Sequence, residues 1–251
     1  MKKLLIGCFI LFSFYANAQD GTRSTTSKST VPEGEIMLIP FEPKMYMSEI
    51  DKKVNEQTKW PFEKIRENFR HQLDIQLKSK FQGTGTVVSF YSDSAKMWKD
   101  LEYIYKSTSV TYVPLSNPTS TQKKSGIKNG QVEVDVNEEK KFMNTKVNNN
   151  ELLSYLNQKY KTRYFVFVNE LDIKNDINSY DGASDSFQRE IAVHYTILDN
   201  TGKLISAGIS SAHISSGMTE PKKIVSLCFS NLTKELYTKF TEVVKPTSPK
   251  K

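Results

Sequence analysis

The stretch SFQREIAVHYTILDNTGKLISAGISSAHI, residues 186–214, decides the fold. Two runs rich in β-branched and aromatic residues, Ser186–Leu198 and Lys203–Ile214, flank Asp199-Asn200-Thr201-Gly202. Asn and Gly tolerate the left-handed dihedrals of a tight turn, so the pattern predicts an antiparallel hairpin. Just upstream, Arg163–Leu171 (RYFVFVNEL) has the dense apolar centre of a buried strand. The acidic stretch Asp172–Asp185 between them reads as a long hairpin loop.

Working outward, Ile36–Phe41 is a first strand, buried on both faces because its apolar residues do not alternate. Pro61–Phe81 follows as a helix, with Phe62, Ile65, Phe69, Leu73 and Leu77 at three- and four-residue steps. Gly83 and Gly85 end it, and Thr86–Phe90 is a second strand. Ser92 or Asp93 caps a further helix through Lys106. Val110–Val113 is a short strand, and residues 116–148 read as a mobile insertion containing an edge hairpin through Val132, Val134 and Val136. Asn149–Tyr160 has helical spacing. A closing helix over Glu220–Val243 buries Ile224, Leu227, Cys228, Leu232, Leu236 and Phe240. No internal repeat is present in the 251 residues.

This order predicts a layered α/β (α+β) domain over residues 35–243. Its mixed sheet has four to five strands, a C-terminal antiparallel hairpin, and three to four flanking helices. Residues 19–34 are expected to be a flexible leader and 244–251 a disordered basic tail.

Lys2-Lys3, the apolar run Leu4–Tyr15 and Ala16-Asn17-Ala18 predict a Sec-type signal peptide cleaved after Ala18. Leu5-Ile6-Gly7-Cys8 spells a lipoprotein box, but only Leu4 would precede it as hydrophobic core, so cleavage after Ala18 is the reading kept. No later run approaches the roughly 20 apolar residues of a membrane helix. Loss of Lys2 and Lys3 would leave 33 basic against 28 acidic residues, a net charge of +5. The excess is not gathered on one helix or strand, and nucleic acid is not an expected partner. Cys228 would then be the sole cysteine, in an apolar helical stretch that suits a small buried hydrophobe.

Catalytic constellations are sparse. There is no Gly-x-Ser-x-Gly elbow and no phosphate-binding glycine loop. Of three histidines, His71 lies beside the apolar stripe of the first helix, with Glu67 one turn earlier as a salt partner. His194 and His213 fall in opposite arms of the hairpin. Counting from the turn sets 194 against about 207, so they do not face each other and no metal site is expected. Asp176–Gly182 resembles the start of a calcium loop, but an extra residue slips its register and no closing Glu follows. No cofactor is expected. A histidine within about 3 Å of a carboxylate or Ser in a pocket would favour an enzyme.

The strand end at Pro40–Met47 with Trp60 offers a surface instead. Pro43, Met45, Tyr46, Met47 and Trp60 are candidate protein-binding residues, Met and aromatic groups suiting an adaptable contact. The bland alternative has Met45, Tyr46, Met47 and Trp60 folding back over the sheet edge.

Taken together, IMLIPF (36–41), YFVFVNELDI (164–173) and IAVHYTILDNTGKLISAG (191–208) before a last helix resemble the amino-terminal domain of TolB and its relatives. Those relatives include the periplasmic domain of the curli secretion channel subunit and the outer-membrane lipoproteins that activate penicillin-binding proteins. The likeness covers roughly residues 35–115 and 150–243, and the segment 116–148 has no counterpart. The resemblance implies a non-catalytic adaptor of the bacterial envelope, periplasmic or secreted, whose partners are envelope proteins or further copies of itself. The competing expectation is an exported hydrolase using His71 or the Asp172–Asp185 loop.

Overall fold

The computed structural model of the protein describes residues 35–92, 94–115, 127–128, 131–132 and 141–244. The expected signal peptide, the whole of the leader, Asp93, Val134, Val136 and nearly all of the basic tail lie outside the described residues.

The chain builds a mixed sheet. β1 (Ile36–Ile39), β3 (Val87–Ser89) and β8 (Tyr164–Asp181) are parallel, and β9 (Ser186–Asp199) and β10 (Leu204–Ser215) continue it antiparallel, in the order β10-β9-β8-β1-β3. After β1 the chain makes a 3-10 turn at Pro43–Met45 and re-enters as β2 (Tyr46–Ser48), parallel to β8 beside Leu171–Ile173. Pro40–Met47 therefore turns a corner within the sheet. The helix α1 (Asp51–Thr58) follows directly; neither it nor β2 is signalled by strong periodicity.

One sheet face is covered by α2 (Phe62–Phe81) and the closing helix. Ile65, Phe69, Leu73, Leu77 and Phe81 pack on Leu38, Val166 and Val193. Each such large side chain contributes on the order of 1.5–3 kcal/mol by burial. Phe62, counted in the stripe from sequence, points outward because it sits at the helix start. The other face carries α3 (Ser94–Ser107) and α4 (Leu152–Tyr160), whose Ile104, Leu152 and Leu156 pack on Met37, Ile39, Phe165 and Phe167.

The closing helix is three pieces: α5 (Pro221–Ile224), a π-turn at Val225–Phe229, and α6 (Ser230–Val243). The wide turn shifts the helical phase, so Val225 and Phe229 go inward and Leu227, expected inside, is 54 % exposed.

Two further differences shape the molecule. The segment read as an insertion ends in a strand, β7 (Lys141–Val147), which pairs antiparallel with β4 (Thr108–Pro114) along seven rungs. The expectation of mobility across 116–148 is therefore corrected for residues 141–147, where Phe142, Met143 and Thr145 are buried. Before it, β5 (Ile127–Lys128) and β6 (Gln131–Val132) form a two-rung ladder. The expected acidic loop is also strand: β8 runs on to Asp181, and only Gly182–Asp185 turn the corner into β9.

Candidate functional site

The extended β8–β9 hairpin carries a buried polar cluster under the β4–β7 ribbon. Its origin is a register shift between Val168 and Glu170 on β8. Before the shift Phe165 and Phe167 face the ribbon side; after it Leu171 and Ile173 face the opposite core. The extra residue lets both Asn169 and Glu170 face the ribbon, followed two positions on by Asp172. Re-aiming a side chain is what a bulge does in a ladder.

Asn169 holds the ribbon down. Its amide nitrogen donates to the Met143 carbonyl at 2.7 Å and to Thr196 Oγ1 at 2.8 Å, and its oxygen accepts from Thr145 Oγ1 at 2.6 Å. Thr196 Oγ1 also accepts the Thr145 N–H at 3.0 Å.

Beyond this network lie Glu170, Asp172 and His194, each no more than 4 % exposed. The hairpin register sets His194 directly opposite Glu170. Tyr112, on β4, donates its hydroxyl to the Glu170 carboxylate, 3.0 Å from each oxygen. Lys174 pairs with Asp172 Oδ2, while Asp172 Oδ1 is buried without a hydrogen-bond donor. A cavity of about 390 Å3 opens beside the cluster, lined by Tyr112, Asp172, Lys174, Glu190, His194 and Ser211 among others.

One ligand atom each from Glu170, Asp172 and His194 lie within 4.8 Å of one another, a spacing that could hold a metal ion. The histidine argues against that use. His194 Nδ1 accepts the Met143 backbone N–H at 2.8 Å, so the neutral ring carries its proton on Nε2. Metal ligation through Nε2 would send that proton to Nδ1, against the Met143 N–H. The residues do not fit a resident metal through His194.

The same bond, with burial, keeps the ring neutral: burial holds the His194 pKa below the usual imidazole range despite the attraction of Asp172. Glu170 moves the other way. Burial first and the Asp172 charge second push its carboxyl up to about 7. His194 lies 3.7 Å from Glu170 Oε2 and 3.8 Å from Asp172 Oδ2, outside the hydrogen-bond range set above for an enzyme.

The other sequence candidates separate. Tyr46 stacks on Phe69 at 6.3 Å, donates its hydroxyl to Asp51 Oδ1 at 2.7 Å, and has its phenol pKa raised by burial. Met45, Tyr46 and Trp60 pack partly buried against the main core. Pro43 and Met47 are exposed. His71 is exposed and stacks on Tyr91 at 5.0 Å, and Glu67 pairs with Arg66 and Arg70. His213 lies opposite Glu190, and His194 opposite Ile209 instead of 207, because the turn is one residue longer and β10 carries an irregularity between Leu204 and Ser206. Asp181, at the calcium-like motif, accepts the Ala183 N–H at 3.0 Å and the Ser184 hydroxyl at 2.6 Å, a local turn.

Sequence reasoning missed Tyr112 and Glu170, and placed Asp172, at the start of the Asp172–Asp185 candidate stretch, in a loop where the structure has strand. The available signal was polar residues, NELD, inside an apolar strand, where Glu170 and Asp172 at i and i+2 share a face. No family model matches the chain, and no curated protein matches it. No helix among the described residues is long and apolar enough to cross a membrane.

Proposed function

We propose that the protein is an exported, non-catalytic protein of the bacterial envelope that acts as a binding or assembly adaptor. The observation carrying this reading is the edge of the sheet at β10. Twelve residues long, Leu204–Ser215 contains no Asp, Glu, Lys, Arg or Pro and pairs on one side only among the described residues. Edge strands are ordinarily blunted by charge, proline or shortness, and β3, at the other edge, is three residues long. Beyond the irregularity at Leu204–Ser206, the edge from Ala207 to Ser215 is a template on which an extended partner segment adds a strand through main-chain hydrogen bonds. The amino-terminal leader pattern and the TolB-like motifs support the same reading.

The test is site-specific photo-crosslinking in the producing cell, with a photoreactive side chain at Ser211 on β10 or at exposed Ser79 on α2. A defined protein adduct at Ser211, absent at Ser79 and lost on adding Ala207→Lys and His213→Lys with circular dichroism unchanged, supports the adaptor. Equal adducts at both positions, or none at Ser211, reject it.

A second reading, an exported hydrolase, is favoured by one observation: two buried carboxyl groups within 4.8 Å of each other beside a cavity, Glu170 being pushed up to about 7 by burial and by Asp172. Such a pair suits general acid–base work. Turnover of an ester, peptide or glycoside by the purified protein, lost in Asp172→Asn, would select this reading over the adaptor.

A further inference from the structure

We propose that Glu170 holds a proton beside Asp172, and that this proton latches the β4–β7 ribbon onto the sheet through Tyr112. Both carboxyl groups are buried to within 2 % of full coverage, face the same side of β8, and approach within 4.8 Å. Two carboxylates so placed do not both ionise without compensation.

The surrounding charges do not supply it. On β8 Lys174 is spent on Asp172 Oδ2. On β9 His194 is held neutral by the Met143 N–H of β7, and Glu190 adds a further negative charge at the cavity. On β7 Lys141 lines the cavity mouth as an exposed group, β4 presents only the neutral Tyr112 phenol, and β10 contributes Ser211, with His213 opposite Glu190. From α6, Glu235 lines the same cavity with its carboxylate bonded to Ser210 Oγ at 2.6 Å.

One proton resolves the deficit and also the orphaned atom. Asp172 Oδ1 is buried with no donor, and the Glu170 carboxyl, protonated, is a neighbouring donor with an oxygen within 4.8 Å of the Asp172 carboxylate. The direction of the Glu170 pKa, raised to about 7 by burial and by Asp172, agrees. With that proton in place, Tyr112 bonds a neutral carboxyl and β4 lies flat. With it gone, a second buried charge appears beneath the ribbon, and Leu115, just past the end of β4, has its side chain beside Gly208 of β10. Alkalinity therefore loosens the ribbon and acidity seats it.

The experiment uses the full chain. The carboxyl 13C signal of Glu170 is followed by NMR, and amide hydrogen-exchange protection at Met143 and Thr145 is measured from about pH 5 to about pH 9. The expected result is a Glu170 titration near neutrality and a fall in protection of about tenfold or more across it. Glu170→Gln, which keeps a donor without the charge, makes protection flat with pH, and Tyr112→Phe lowers it at every pH. A Glu170 signal titrating in the ordinary carboxylate range overturns the proposal, and this holds even if Glu170→Gln does not fold. So does a wild-type profile that Glu170→Gln reproduces.

Discussion

His194 Nδ1 accepts the backbone N–H of Met143 at 2.8 Å, and this bond joins the main sheet to the ribbon laid across it. The amide is buried, so deleting the imidazole leaves a donor with nothing to bond. His194→Ala is expected to cost about 1–3 kcal/mol, read from urea melts. Because Nδ1 is already used, Zn2+ and chelator should leave the melting temperature of the wild type unchanged. A zinc-dependent rise that His194→Ala abolishes would show that the ring reorients to ligate.

The π-turn at Val225–Phe229 separates two neighbours in sequence. Phe229 is fully buried, 6.0 Å from the Phe69 ring, whereas Leu227 lies mostly in solvent. Phe229→Ala is expected to cost about 3–5 kcal/mol through cavity formation. Leu227→Ser should stay within about 0.5 kcal/mol. A large loss at Leu227 would mean that the helix continues with unbroken α phase and that the residue is inside.

That pair also marks where the sequence is legible. Regular periods are: the α2 stripe, the β1 run and the Asp199–Gly202 hairpin each report burial through a repeat the backbone keeps. Irregularities are not. The bulge at Asn169 inserts a residue, after which the strand's side chains change face, and the π-turn turns Leu227 outward while Leu232, Leu236 and Phe240 stay inside, so a pattern counted by 2 or by 3.6 goes astray at these points. Asp172 was read into an acidic loop that the structure shows to be strand. Tyr112 was beyond reach, since it meets Glu170 across 58 positions of chain. Nothing local marks that contact. The ribbon itself was hidden because Lys141–Val147 alternates weakly and its partner strand lies beyond a polar segment.

Asp199 offers a pH test with a different sign from Glu170. Burial opposes its ionisation, but bonds from the Thr201 hydroxyl at 2.6 Å and the Thr201 and Lys203 amides outweigh it and hold the carboxyl below the usual range. The unfolded chain therefore binds the proton more readily, so this stability is present above the unfolded carboxylate value of about 3.9 and is lost as pH falls through the folded one. Asp199→Ala should cost roughly 1–2 kcal/mol near neutrality, and the difference should shrink towards about pH 2. A cost that does not vary with pH would mean that the turn relies on shape alone.

Asn169 is the residue on which the ribbon and the sheet agree. One amide serves the Met143 carbonyl, the Thr145 hydroxyl and Thr196 at once, all in the interior. Asn169→Leu keeps the size but leaves those groups short of partners, and about 2–4 kcal/mol should be lost. The loss should be local first. Native-state hydrogen exchange is expected to show Met143 and Thr145 opening ahead of β1 and β8, whose ladder does not depend on the ribbon. If all amides instead open together, the ribbon is an integral part of the cooperative core, and a loosened ribbon over an intact sheet is not an available state of this protein.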